Sequence, residues 1–451
     1  MSGVGKPGYK ETAVGWIPVE WDVIKLGSLC SVITKGTTPT TVGFQYQPAG
    51  VNFVKVECID GYGNLDLNKV AFITSDAHEA LGRSKLQAGD ILYSIAGAIG
   101  RSAIVQESHL PANINQALAI VRLSAQSLDT EFVRLCLSSE WQLSHIAQIS
   151  VSSAQANISL KDVSEFDVLL PPLPEQQKIA AILTAVDDKL DLIARQISAT
   201  QTLKQGLMQN LFTRGTGTPD AQGRWHPHTE FQDSPIGLIP RSWDARKLEE
   251  LATENITYGV VQPGEANTGG VPLVRGGDIK NGKIASNLRT VSQEISLQFK
   301  RTVLQGGELL VSLVGYPGET AVVPEALAGA NIARQAGMIR TSSLAMSKFI
   351  HCYLASPTGK ACLLGGMIGS AQQVINLKSL REVYVPMPAE AEREQISAIC
   401  EEVFNKLDAL TTQQTHYQSL KRGLMQKLLT GQWRVRVDAA ALAPVHEEAP
   451  A

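Results

Sequence analysis

The chain has 451 residues, 44% of them hydrophobic and 18% charged, and its 43 Asp and Glu against 40 Lys and Arg leave a net charge of −3. That length supports two or three domains, and no apolar run reaches the roughly 18 residues of a membrane span. The charge balance excludes a protein held on nucleic acid by bulk positive charge, so any duplex binding needs local basic surfaces or help from other subunits.

In chain order, the opening MSGVGKPGYKETAVG lacks an apolar signal core, which makes a cytoplasmic location the expectation. Gly15–Leu29 then reads GWIPVEWDVIKLGSL. Short apolar segments bounded by turn residues follow. Asp90–Ile95 and Ala119–Leu123 read as strands, and Glu131–Leu137 reads as a short helix. Glycine-flanked polar loops separate them and carry Lys35, Thr37, Thr38, Lys55, Arg101, Asn113, Asn115, Gln116, Ser153 and Gln155.

Residues 174–213 change character. Ile179, Leu183, Val186, Leu190, Ile193, Ile197, Leu207 and Leu211 step by four and three, the spacing of a heptad seam, with polar Thr200 and Lys204 inside it. Pro174 suits a first helical turn and Glu175 complements the positive end of the dipole. The helix would be about 57 Å long. Residues 214–236 are rich in Gly, Pro and polar types and read as an irregular linker, with His226 and His228 as solvated side chains.

The second half writes the first again. GLIPRSWDARKLEEL at Gly237–Leu251 repeats the opening block, aligning Gly15 with Gly237, Pro18 with Pro240 and Trp21 with Trp243. LQAGDILYSIAGAIG at Leu86–Gly100 returns as LQGGELLVSLVGYPG at Leu304–Gly318, and Ala112–Ile114 returns as Ala330–Ile332. The matching loops carry Tyr258, Gln262, Arg275, Tyr316, Arg334, Gln335, Ser370 and Gln372, and a short helix is expected at Lys348–Leu354. A second seam runs through Ile396, Cys400, Val403, Leu407, Leu410, Gln414, Tyr417, Lys421, Leu424 and Leu428. The two helices end alike, LKQGLMQNLFT from Leu203 and LKRGLMQKLLT from Leu420. Repeated heptads favour two helices packed on each other, although one long buried helix per domain is the plainer alternative. Each globular part mixes α and β, with a curved sheet or barrel expected.

Catalytic signatures are missing from this reading. There is no GxGxxG, and Gly359-Lys360-Ala361 lacks the upstream glycine and the hydroxyl of a phosphate-wrapping loop. Pro171-Pro172 is flanked by leucines, unlike the Asn/Asp-Pro-Pro-aromatic motif of amino-methyltransferases. Gln232 stands where a magnesium nuclease would carry lysine. The six cysteines form no CxxC pair and no third ligand accompanies the two linker histidines, so no metal site is expected. What remains is binding chemistry. Arg reads guanine, Asn and Gln read adenine, and Ser, Thr and Lys hold phosphates. For any single loop residue a turn or cap is the plainer role. The matched Gly97/Gly315 and Gly100/Gly318 read as tight turns.

The GxIPxxW blocks at Gly15 and Gly237, PLPEQQKIAAIL at Pro172–Leu183 and the LKxGLMQxL helix ends together resemble the specificity subunit of type I restriction-modification systems. The resemblance covers nearly the whole chain. It implies an α+β protein with two target-recognition domains in tandem, each reading half of an interrupted and asymmetric DNA sequence. It implies that the two helices form an antiparallel coiled coil, the axis of a pseudo-twofold repeat, which sets the gap between half-sites. The expected division is 1–173 and 237–388 for the recognition domains, 174–213 and 389–432 for the helices, 214–236 for the linker and 433–451 for a flexible tail. It also implies double-stranded DNA, two methylation subunits and restriction subunits as partners. S-adenosylmethionine, ATP and Mg²⁺ would belong to those partners, and this chain would be non-catalytic. Two other classes stay open: a coiled-coil scaffold with two protein-binding heads, and a solitary DNA-modifying enzyme.

Overall fold

The structure, a computed structural model, describes residues 7–12, 14–124, 127–151, 157–265, 269–365 and 374–436. It divides into two units, residues 1–195 with 412–451, and residues 196–411. Ser153, Gln155, Ser370 and Gln372 lie outside the described residues.

In the first unit a four-stranded antiparallel sheet has the order Cys30–Lys35, Leu118–Leu123, Ile91–Ser94, Ser102–Ile104. A three-stranded sheet has the order Ala71–Ile73, Val51–Val54, Ala112–Ile114, the last pair parallel. Asp22–Lys25 pairs with Asp167–Leu170 just before the first long helix. The second unit repeats this strand by strand. Its four-stranded sheet runs Thr257–Tyr258, Ala336–Ile339, Leu309–Ser312, Thr320–Val322. Its three-stranded sheet runs Arg289–Val291, Val271–Val274, Asn331–Ile332, and Asp244–Lys247 pairs with Tyr384–Met387. The sheets stay separate rather than closing into one barrel.

The central strands explain why the apolar blocks repeat so closely. Ile91 and Tyr93 face one hydrophobic core while Leu92 faces another, and Leu309 and Val311 are likewise set back to back with Leu310. A strand buried on both faces reads as an unbroken apolar run instead of an alternating one. Short helices flank the sheets at Thr130–Leu137 and Leu344–Leu354.

The long helices are Leu173–Thr213 and Glu390–Leu428. In the first unit the start of one meets the end of the other, Ile179 and Leu183 sharing a core with Leu428, Leu429 and Leu424. In the second unit Met208, Leu211 and Phe212 pack with Ile396, Cys400 and Phe404. The pairing is antiparallel in both. Ile179, Leu183, Val186, Leu190, Ile193, Leu211, Ile396, Cys400 and Leu428 are buried. Ile197, Leu207, Val403, Leu407, Leu410, Tyr417 and Leu424 are half-buried. The polar seam positions have separate solutions. Lys421 forms an ion pair at 2.6 Å with buried Asp187, whose pKa burial raises against the pull of Lys421. Lys204 lies 4.5 Å over the Phe404 ring, with burial pushing its pKa down.

Two stretches differ from expectation. The linker is built rather than irregular: Thr218–Pro219 pairs with Trp225–His226, and Phe231–Ser234 forms a hairpin with Gly237–Pro240. Its His228 is not solvated: the side chain is only 8% exposed and lies 3.0 Å from Glu392. Glu392, on the first turn of the second helix, also accepts the indole N–H of Trp243 at 2.9 Å and the backbone N–H groups of Thr216 and Gly217 at 2.9 Å each. Glu175 does the same for the first helix, accepting the Trp21 indole N–H at 3.1 Å. Its other donor is Arg434, at 2.7 and 3.0 Å. The stretch expected to be a flexible tail therefore begins with an anchor. Both carboxylates are 3% exposed, and a buried charge of that kind persists only when fully partnered. Among the described residues no helix is long and apolar enough to cross a membrane.

The Asp187–Lys421 pair gives a direct test of what holds the seam. Lys421→Met, which leaves a buried carboxylate with only the more distant Arg134 at 4.0 Å, should lower unfolding free energy by about 3 kcal/mol, whereas Asp187→Leu with Lys421→Met should recover most of that loss. Urea denaturation of the three proteins at neutral pH measures the difference. The deficit of the single variant depends on pH. Burial holds the folded-state pKa of Asp187 above its unfolded value, so protonation favours the folded chain and the deficit of Lys421→Met should shrink as pH falls.

Candidate functional site

In each unit the polar loops gather where the sheet strands end. In the first, the backbone N–H of Asn115 donates to Val54 O at 3.2 Å, which joins the loop at Asn115–Gln116 to the turn at Lys55. The turn after Cys30–Lys35 presses against the same loop. A Cβ on Gly36 would stand 1.9 Å from Ile114 O and 2.3 Å from Asn115 O, so only glycine fits. Thr38 is hydrogen-bonded to Gln116, and Thr37 accepts from Arg83 at 2.9 Å. Lys35, Lys55, Thr37, Thr38, Asn115 and Gln116 are thus brought together. Lys55 lies 4.9 Å over the Tyr46 ring and 3.9 Å from Glu57. Arg101 is exposed and donates to Ile59 O at 3.2 Å, one turn beyond Lys55.

Asn113 is not part of this surface, contrary to the expectation. It is fully buried, and its amide donates to Leu81 O at 3.2 Å and Ser84 Oγ at 2.9 Å while its carbonyl meets His78. Asn331 plays the matching role, donating to Ser296 Oγ at 3.1 Å and accepting from Thr302 at 2.7 Å. A strand covered on both faces puts it there. Asn113 sits on a three-residue strand between Ala112 and Ile114, all buried. The repeated Ala-Asn-Ile is a buried polar lock, whose signature is its presence in both halves with a one-residue displacement from the loop.

The second unit assembles a parallel cluster with different side chains. Arg334 N donates to Val260 O at 2.9 Å and Ala333 N to Val274 O at 2.9 Å, so the loops of Tyr258, Arg275 and Arg334–Gln335 adjoin. Gly276 closes the set, since a Cβ there would meet Val314 O at 2.1 Å and Gln335 O at 2.6 Å. Tyr258 and Tyr316 are each 45% exposed, large rings held in solvent, and Lys280 lies 4.9 Å over that of Tyr316. Gln262 is exposed a short step further along the Tyr258 loop. Gly97, Gly100, Gly315 and Gly318 all have positive φ, the backbone signature of the tight turns expected of them.

One contact in this cluster was invisible in the sequence. Asp278 grips Arg275 through both carboxylate oxygens, at 3.0 Å to Nε and 2.9 Å to Nη2, and among the described residues the outer edge of the guanidinium has no hydrogen-bond partner. The spacing of three residues is common to any short turn and carries no signal by itself. Chemistry elsewhere is muted. Burial pushes the Cys30 thiol up to about 12 and the Cys136 thiol higher still, the first half-buried against the core and the second within it. Among the described residues no cluster of three or more His, Cys, Asp or Glu could hold a metal ion. The arrangement can do one thing well, which is to present two sets of aromatic, cationic and amide groups from rigid strand ends.

Comparison with known proteins places these features. The family model for the type I restriction modification DNA specificity domain matches residues 18–201 and again 240–418. The chain is 29% identical over 346 residues to the type I restriction enzyme EcoBI specificity subunit of Escherichia coli, covering 72% of this chain and 71% of that one. It is 25% identical over 438 residues to a putative type I restriction enzyme MjaX specificity subunit of Methanocaldococcus jannaschii, covering 95% and 97%. In fold it is similar to the type I restriction-modification S subunit from M. genitalium, with a TM-score of 0.56 at 14% identity over 90% of this chain and 96% of that one. A chain from a type I R-M system studied for complex assembly and conformational transition gives 0.52 at 18% identity, over 92% and 99%.

The locked and presented residues separate by experiment. Asn113→Ala should cost about 2–3 kcal/mol of stability by orphaning its partners. Gln116→Ala, on the exposed loop, should leave the thermal midpoint within experimental scatter. Thermal and urea unfolding of both variants checks this.

Proposed function

The chain belongs to the type I restriction modification DNA specificity family, and from that premise we propose that its two units read the two halves of one interrupted, asymmetric DNA target. The observation that carries this is the pair of loop clusters on a shared backbone plan. Repetition supplies two equivalent platforms, while Lys55, Asn115 and Gln116 on one and Tyr258, Arg275 and Arg334 on the other make the bases read different. Arginine and amide side chains distinguish bases in the major groove, and Thr37, Thr38, Lys35 and Arg101 suit phosphates.

In this reading the chain is the DNA-recognition component and contributes no catalytic group. It works in the cytoplasm with two methylation subunits and with restriction subunits. S-adenosylmethionine supplies the methyl group, and it, ATP and Mg²⁺ bind those partners. Support comes from the missing phosphate-wrapping and methyltransferase motifs and from loops that offer binding groups only. The modest acidic balance fits a reader whose hold on the backbone is shared with partners. The antiparallel helices act as a ruler, because a stiff helical pair converts residues into base pairs of unread gap.

Genome-wide methyl-adenine mapping, with this chain present and absent alongside its methylation subunits, should show one bipartite motif that depends on it. A chain that methylates DNA unaided would sink the non-catalytic reading. A gel shift of the assembled complex should lose affinity steeply with salt, as several phosphate contacts require. Four residues inserted after Ala199 should lengthen the preferred gap by about one to two base pairs while leaving both half-sites unchanged, given ~1.5 Å per helical residue and ~3.4 Å per base pair. An unchanged gap in the mapped motif counts against the ruler.

A further inference from the structure

The turn that follows Val51–Val54 in the first unit and Val271–Val274 in the second is the same piece of backbone, capped in two ways. At Val56–Cys58 the Lys55 N–H meets the Cys58 thiol at 3.4 Å. At Gly276–Asp278 the Arg275 N–H donates to the Asp278 carboxylate at 2.8 Å. A thiol therefore suffices to hold this turn, and the carboxylate does more. Its two oxygens also bind Nε and Nη2 of Arg275. Asp278 is 8% exposed while the Arg275 side chain is 45% exposed, so a buried group steers a surface one.

The guanidinium has five N–H donors in one plane. With Nε–H and one Nη2–H taken by Asp278, three remain, and a parallel pair from Nη1 and Nη2 points away from the carboxylate. That pair matches the O6 and N7 acceptors of guanine in the major groove. The carboxylate also removes side-chain freedom before any ligand arrives, which is freedom a flexible arginine must surrender on binding. In the first unit Lys55 has no such brace. Its ammonium rests over the Tyr46 ring and near Glu57, and a point charge has no flat edge to aim.

We propose that Asp278 is a positioning residue that aims Arg275 at a guanine in the second half-site. This rests on the reading above, that the second unit binds half of the target. Among the base edges of the major groove only guanine offers two acceptors to the remaining donor pair, whereas losing a phosphate held by the same pair would weaken every position alike.

The test uses the assembled complex with its methylation subunits and duplexes carrying the mapped target, each with one base pair replaced. Arg275→Ala should lose discrimination about 10-fold or more at one guanine of the second half-site. Asp278→Asn and Asp278→Cys should lose it about 5- to 20-fold at that same guanine, with every position of the first half-site read as before. Asp278→Cys keeps a cap that the first unit already uses, so the turn stays formed. Combining Asp278→Cys with Arg275→Ala should add nothing to Arg275→Ala alone, since the carboxylate acts only through the arginine. Asp278 variants that discriminate like the wild type, or that weaken all positions of the second half-site equally, overturn the proposal and leave the bipartite reading intact. A wild-type complex with no bipartite preference overturns both.

Discussion

A buried carboxylate at the first turn of each long helix is the constraint on which the structure depends. Glu175 and Glu392 each hold the indole N–H of the tryptophan in the repeated GxIPxxW block, Trp21 and Trp243. An ionised carboxylate taken from water demands partners, and here every partner comes from far along the chain. Helix, opening strand and capping segment must therefore arrive together. The two sites differ in how they balance the charge. Arg434 supplies a cation for Glu175, while Glu392 takes two backbone amides and His228. The repeated tryptophans are thus explained by hydrogen bonding as well as by bulk, since both are also among the largest fully buried side chains.

The helical seam shows the same economy of plan with different chemistry. Lys204 and Lys421 occupy equivalent positions near the ends of the two helices, yet one faces an aromatic ring and the other a carboxylate. Aliphatic seam residues tolerate sliding, whereas a charge that must find one particular partner does not. Polar seam positions specify alignment at some expense in stability. In an antiparallel pair that alignment decides which parts of the two helices meet within each unit.

Much of this fold was legible in the sequence because it was written twice. The two seams, the central apolar strands and the helix ends have periodicities that only a few arrangements satisfy, and the second copy removes accidental matches. The resemblance supplied what periodicity could not, the antiparallel sense of the helices and the DNA-reading role. The linker misled because glycine, proline and polar residues suit hairpins as well as disorder, and His228 owes its burial to Glu392 in another part of the chain. The candidate site was legible only as a set of loops. Asn113 stands two residues from Asn115 with similar chemistry, yet one lies within a strand covered on both faces and the other beyond its end. No local pattern reports that, nor that Asp278 would brace Arg275 while Cys58 leaves Lys55 alone.

Each unit is stitched from pieces separated in the chain, and the first needs residues from 412 onward to be complete. During synthesis on the ribosome the second unit has all of its residues, 196–411, before the first receives its closing helix segment and Arg434. The half translated earliest is thus the half that matures last, waiting without Arg434 beside Glu175 and with an uncovered helix face while residues 196–411 are made. A premature stop near codon 412 would spare the later unit and cripple the earlier one.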